Sequence, residues 1–204
     1  PYTLSLHDAL PILRAQVPAD RPLRSLAITF VGPVAPGVPA SYQVEVLREG
    51  KAVSQLLGRV VQNGEVATLV QASFGASRES QVVVASEPPP TFKHWEECQE
   101  LPYIQGVTPE FMRHLAMRWS VGGLPFTGNT SRDMGGWVRL RGDVKEEPLT
   151  ESHILALVDA WPPAVLPHLR KPAPGSTLTW TIEFIQPLQE DRKSTRLNSS
   201  HMPH

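Results

Sequence analysis

The chain has 204 residues, 41% of them hydrophobic and 19% charged, with a formal net charge of −1. That is room for one large domain or two small ones, with apolar material for a sizeable core and too little charge for a disordered chain. Near-neutrality removes the electrostatic reason for sequence-independent nucleic-acid binding. No apolar run reaches the ~18–20 residues of a membrane span. The single Cys98 excludes an internal disulfide and a multi-thiolate zinc site, so a soluble protein of a reducing compartment, the cytoplasm, is expected.

The 21 prolines outnumber the 14 glycines, and their placement divides the chain. Residues 1–12 have neither a basic head nor a long apolar stretch, and so do not form a signal peptide. Residues 191–204 end in the polar, unpatterned run KSTRLNSSHMPH. Both ends resemble translated linker or adaptor sequence, and we expect a non-native leader over 1–12 and a non-native tail over 191–204. Leu26 to Val31 is a β-rich run closed by Gly32-Pro33 and Pro36-Gly37. Tyr42 to Arg48 alternates apolar with polar residues, as a strand with one buried face does. Ala52 to Gln62, the turn Asn63-Gly64 and Glu65 to Phe74 complete an antiparallel meander, because both turn residues tolerate positive φ.

Glu87-Pro88-Pro89-Pro90 cannot supply ladder donors and reads as linker. Ser77 to Val84 before it is a candidate short extended piece. Phe111 to Val121 fits helix or strand by its apolar spacing, and Gly136 to Gly142 is an alternating strand. The strongest helix signal starts at the N-cap candidate Thr150. It carries Ile154, Leu155, Leu157, Val158 and Trp161 on its apolar face and ends at Pro162-Pro163. Thr177 to Ile185 alternates again and stops at Pro187. The runs LAITFVGP (26–33) and TWTIEFIQP (179–187) are alike, and each follows a helical pattern, Leu10–Gln16 in the first case. They suggest an internal duplication of a helix-then-antiparallel-sheet unit, an α+β arrangement.

Several chemistries have no residues to carry them. There is no glycine-rich phosphate loop, no G-x-S-x-G elbow and no H-E-x-x-H pair. His94, His114, His153 and His168 lack ligand spacing, so no metal site is expected. Cys98 lies among Glu96, Glu97 and Glu100, whose charges disfavour a thiolate nucleophile. Trp137, Arg139 and Arg141 on one strand could form a base-stacking platform, but read better as a solvated face. Asp159, in LALVDAWPPAVL, faces solvent on the last helical turn, occupies a polar cleft or is buried. Negative charge at a helix C-terminus is unfavourable with the macrodipole, which leaves a functional reading open beside the solvated one. In Ser176-Thr177-Leu178-Thr179 the hydroxyls also suit an ordinary strand.

The segments RPLRSLAITFVGPVAPG, YQVEVLREGKAVSQLLGRVVQNGEVATLVQASFG, GGWVRLRG, ILALVDAWPPAVLP and STLTWTIEFIQP occur in this order. Together they resemble the two repeats of the acyl-CoA thioesterase II (TesB-like) family over about Leu13 to Leu188. The resemblance implies a double hotdog, two repeats of an antiparallel sheet wrapped around a helix, both incomplete here. It places a partial N-terminal repeat at 13–86, a linker at 87–109 and a partial C-terminal repeat at 110–190. It also implies hydrolysis of acyl-CoA thioesters without metal or redox cofactor. The family's catalytic Asp falls on Asp159 and its Thr on Thr177, with Thr179 as the register alternative. The family's Gln would lie beyond "FIQP", where no residue is assignable. Acyl-CoA is then the substrate partner, and fusion of two repeats or homo-oligomerisation would close the open sheet edge of a lone repeat. The alternatives are a non-catalytic acyl-chain or lipid-binding module and an inactive truncated fragment. A hotdog dehydratase would need a His paired with an acid, and no histidine adjoins Asp159 in the pattern.

Overall fold

The structure is a computed structural model that describes residues 3–82, 84, 88, 91–142, 149–173, 175–186 and 196–201; within these, the side chains of 3–8 and 196–201 are left aside. The expected linker at 87–90 (apart from Pro88), the stop at Pro187 and most of the polar tail lie outside the described residues. The chain forms two compact units, one of residues 1–83 and 175–189, the other of residues 84–174 and 190–204.

In the first unit, α1 (Thr3–Arg14) precedes four long strands, β1 (Leu23–Phe30), β2 (Ser41–Glu49), β3 (Val53–Gln62) and β4 (Glu65–Gly75). With β8 (Thr179–Glu183) they form an antiparallel sheet in the order β2-β3-β4-β1-β8. The boundary drawn at residue 12 falls inside α1, whose Ala9, Leu10 and Leu13 are buried. Leu13 lies over Gly58 of β3, and a Cβ there would stand 3.3 Å from a Leu13 methyl. The period-2 pattern places Ser54, Leu56, Gly58, Val60 and Gln62 of β3 on the buried face, opposite the buried Val70, Ala72 and Phe74 of β4. The Asn63-Gly64 turn has φ of 53° and 82°, as the hairpin signal requires. Gln62 anchors the loop beyond β1, donating to the carbonyls of Ala35 (3.1 Å) and Val38 (2.9 Å) and accepting from the Ala35 N–H (2.8 Å).

The strand expected over 177–185 forms at Thr179–Glu183, and its partner is β1. The resemblance places this run in the second repeat; by hydrogen bonding it extends the first sheet. Aligned on their terminal prolines, Pro33 and Pro187, the two similar runs set Ala27 against Thr181, and these two residues are pairing partners. The register is therefore symmetric about that pair: Ser25 meets Glu183 and Thr29 meets Thr179. Like strands related by a two-fold make an isologous contact of this kind.

The second unit holds a sheet in the order β5-β6-β7-β9, from β5 (Gln99–Glu100), β6 (Leu115–Val121), β7 (Met134–Leu140) and β9 (Arg196–His201). The ambiguous stretch 111–121 splits: residues 110–114 form a 3₁₀ turn and residues 115–121 a strand. Ser77 to Val82 forms no strand. The tail, expected to carry no element, pairs through β9 with β7, since ladder hydrogen bonds use backbone groups that every residue except proline supplies. Gly136 is required where β7 passes β6, because a Cβ there would lie 2.1 Å from the Arg118 carbonyl oxygen. Helix α2 (Glu151–Asp159) covers one face of this sheet, with Leu157 in a cluster with Met117, Met134 and Val138.

Candidate functional site

The helix that carries Asp159 begins where the sequence predicts. Thr150 is its N-cap, and the Thr150 N–H donates to His153 Nδ1 at 3.1 Å, one half of a capping box in which histidine takes the place of the usual Glu or Gln. The imidazole is thus a helix-starting group. Leu155 and Leu157 are both buried, Leu157 against the sheet, and Ala160 and Trp161, both 5% exposed, follow at the C-terminus. The Ala160 N–H donates to the Ala156 carbonyl at 3.1 Å, so the chain stays helical through the cap. Buried neighbours on both sides, Leu157 and Ala160, fix the backbone of Asp159, and the residue itself is exposed. Of the three sequence options for Asp159, the exposed one is observed, at the end of the helix.

Thr177 is exposed and lies two residues before β8. The next residue ties this segment down, since the Phe30 N–H of β1 donates to the Leu178 carbonyl at 2.9 Å. Thr179, the register alternative, is an exposed residue of β8 opposite Thr29. Asp159 belongs to the second unit, and both threonines belong to the first.

The strand bearing Trp137, Arg139 and Arg141 differs from the solvated face expected of it. Residues 92–100 lie across it as a strap. Trp137 Nε1 donates to the Lys93 carbonyl at 2.9 Å, and the Lys93 N–H donates to Ser120 Oγ at 3.0 Å. Phe92 meets the Trp137 ring edge-on at 6.3 Å. The buried ring of Trp95 holds two guanidinium groups, Arg118 at 4.7 Å and Arg139 at 4.8 Å from its centroid. Glu100 accepts from both Arg118 and Arg141. Arg118 also donates to the Trp95 carbonyl at 2.9 Å. These aromatic and basic groups are therefore spent on binding the protein's own strap. Trp95, Glu100 and Arg118 escaped the sequence reading because a side-chain clamp between a loop and a strand has no periodicity.

The remaining histidines and the cysteine also have structural settings. His94 pairs with Glu96, and His114 and His168 are exposed. Cys98 is buried, with its thiol 3.6 Å from the Lys93 carbonyl oxygen. Among the described residues no group of three His, Cys, Asp or Glu side chains could hold a metal ion. In the surface cluster Tyr103–Glu110–Arg113, with Tyr103 half-buried, Tyr103 donates to Glu110 at 2.7 Å and Arg113 at 2.6 Å. These two hydrogen bonds hold the Glu110 carboxyl below its ordinary range, Tyr103 contributing the most, and the bond to Glu110 raises the Tyr103 phenol.

Two antiparallel sheets with a helix against each define an α+β protein of the hot dog class. A hot dog fold protein from Alicyclobacillus acidocaldarius superposes with a TM-score of 0.76 at 21% identity, covering 91% of this chain and 67% of that one. An acyl-CoA thioesterase II, TesB2, from Mycobacterium marinum gives a TM-score of 0.64 at 18% identity, covering 93% and 73%. A tesB protein of Mycobacterium avium subspecies paratuberculosis gives 0.69 at 19%, covering 92% and 69%. No curated protein matches the sequence. The family model of the acyl-CoA thioesterase N-terminal domain matches residues 6–75, and that of the C-terminal domain matches residues 95–200. The chain belongs to the acyl-CoA thioesterase family. Among the described residues no helix is long and apolar enough to cross a membrane.

Proposed function

We propose that this protein hydrolyses acyl-CoA thioesters to the free acid and CoA, with water activated at Asp159 and held by Thr177. The observation that carries the reading is the match of both thioesterase domains, in order, on one chain. It is supported by the place of Asp159 at the end of the second-domain helix, where the family resemblance sets its catalytic Asp and where the buried Ala160 and Trp161 follow it. A thioester carbonyl is electrophilic enough for water to attack once it is oriented and loses its proton to a carboxylate. The water oxygen bonds to the carbonyl carbon, Asp159 takes the proton, and the tetrahedral adduct collapses by breaking the carbon–sulfur bond. CoA leaves as a thiolate, which the proton on Asp159 neutralises. The chemistry needs no redox partner, and a sequence with one cysteine suits a reducing compartment, so we assign the reaction to the cytoplasm.

The test is release of free CoA thiol from a panel of acyl-CoAs. Asp159→Asn, which keeps the shape and removes the base, is expected to lower kcat about 10²- to 10⁴-fold. Thr177→Ala should lower it less, and Thr179→Ala should leave it unchanged. Turnover at the wild-type rate in Asp159→Asn overturns the assignment. Tight binding of acyl-CoA with no thiol release from the wild-type chain would favour the non-catalytic acyl-binding module.

A further inference from the structure

The apolar cluster beneath α2 contains two polar atoms that nothing in the described residues satisfies, the indole Nε1 groups of Trp119 and Trp161. Buried indole N–H groups ordinarily find an acceptor, and Trp137, on the opposite face of the same sheet, does so at the Lys93 carbonyl. The two rings that carry the unpaired donors are packed together, with centroids 5.1 Å apart and planes inclined at 48°. Trp161 is 5% exposed and lies two residues beyond Asp159. Around them are Met112, Met117 and Met134, whose unbranched thioethers change rotamer easily and let a cluster reshape around a guest.

The chemistry of the missing acceptor follows from what the cluster offers. Two donors and an apolar surround suit an oxygen with two lone pairs and no hydrogen of its own. A water would bring two hydrogens for which these side chains provide no strong acceptor. An apolar surround penalises a charged carboxylate far more than a neutral carbonyl. We propose that Trp119 and Trp161 form a donor pair that receives a carbonyl oxygen of the acyl group. This rests on the thioesterase reading for its substrate class. The oxygen is either that of the thioester itself or that of an oxo group further along the chain.

Replacement of Trp161, and separately Trp119, by benzothienylalanine keeps the ring shape and removes the N–H. Octanoyl-CoA and 3-oxooctanoyl-CoA are then compared by thiol release. If the pair holds the thioester oxygen, kcat/KM falls about 10- to 100-fold for both substrates; if it holds the oxo group, only the 3-oxo substrate loses. A readout independent of turnover uses the non-hydrolysable S-(2-oxooctyl)-CoA and S-octyl-CoA. With ¹⁵N-labelled indoles, the Trp119 and Trp161 N–H resonances should move downfield with the first ligand and stay in place with the second, the peaks being assigned with Trp119→Phe and Trp161→Phe. Shifts without turnover would leave the donor pair standing and remove the hydrolase reading. Undiminished rates in both analogues, together with unmoved resonances, would overturn the donor pair alone.

Discussion

The two sheets meet the same demand, a helix on one face, with different means. The first is built by backbone regularity. Its β3 and β4 run ten and eleven residues, joined by a two-residue turn, and alternate residues form the buried face. The second is built by side chains. Its β6 and β7 have seven residues each, and a strap is clamped across them by Trp95, Arg118, Arg139, Arg141 and Glu100. Repetitive hydrogen bonding stabilises a sheet through many small equal contributions, whereas a clamp concentrates its contribution in a few groups. The two should therefore fail differently.

Four measurements sharpen or break that contrast. The largest effect is expected at Phe74, fully buried in β4. Phe74→Ala should cost about 3–5 kcal/mol of unfolding free energy in denaturant titration, and a loss below about 1 kcal/mol would mean the first core is not as tight as its burial indicates. Gly136→Ala comes next, because the added methyl would collide with backbone, which cannot rotate away. Loss of β6–β7 amide protection in hydrogen exchange is the expected result, and native protection would contradict the close crossing. Glu100→Gln should cost about 1 kcal/mol, discounted for the partial exposure of the pair. Limited proteolysis should then cut within residues 92–100 first, whereas unchanged cleavage there would refute the clamp.

The smallest effect concerns pH. Glu110 is held below its ordinary carboxyl range by the Tyr103 and Arg113 hydrogen bonds. Its contribution is present above the ordinary carboxyl range and is lost as pH falls through the lowered value. Tyr103 is raised, so its contribution is present below the ordinary phenol range and is lost as pH rises through the raised value. Glu110 is exposed and Tyr103 only half-buried, so the change in stability should be slight, while side-chain NMR titration should show both displacements. Ordinary titration of both in the wild-type chain would dissolve the Tyr103–Glu110–Arg113 cluster.

The same contrast explains what could be read in advance. The meander was legible because alternation and Asn63-Gly64 are local signals, and α2 was legible because Thr150 and Pro162-Pro163 bracket it. The partner of β8 was not, since pairing across most of the chain leaves no mark on nearby residues. The strap was not, because three arginines sharing one glutamate and one tryptophan ring are scattered from 95 to 141. Asp159 stood out as a carboxylate in an apolar run, but its catalytic role and that of Thr177 came from the family resemblance. The residues themselves also fitted a solvated charge and an ordinary strand hydroxyl.

The contact between Ala27 and Thr181 carries a kinetic consequence. The β2-β3-β4 hairpins can zip as soon as their residues are available, but the outer edge of β1 waits for β8, which is distant from it in the chain. Long-separation contacts are entropically expensive to close and tend to form late. During synthesis the bare edge of β1 would be open to strangers until the ribosome has delivered β8, making this seam the place where a chaperone would matter most.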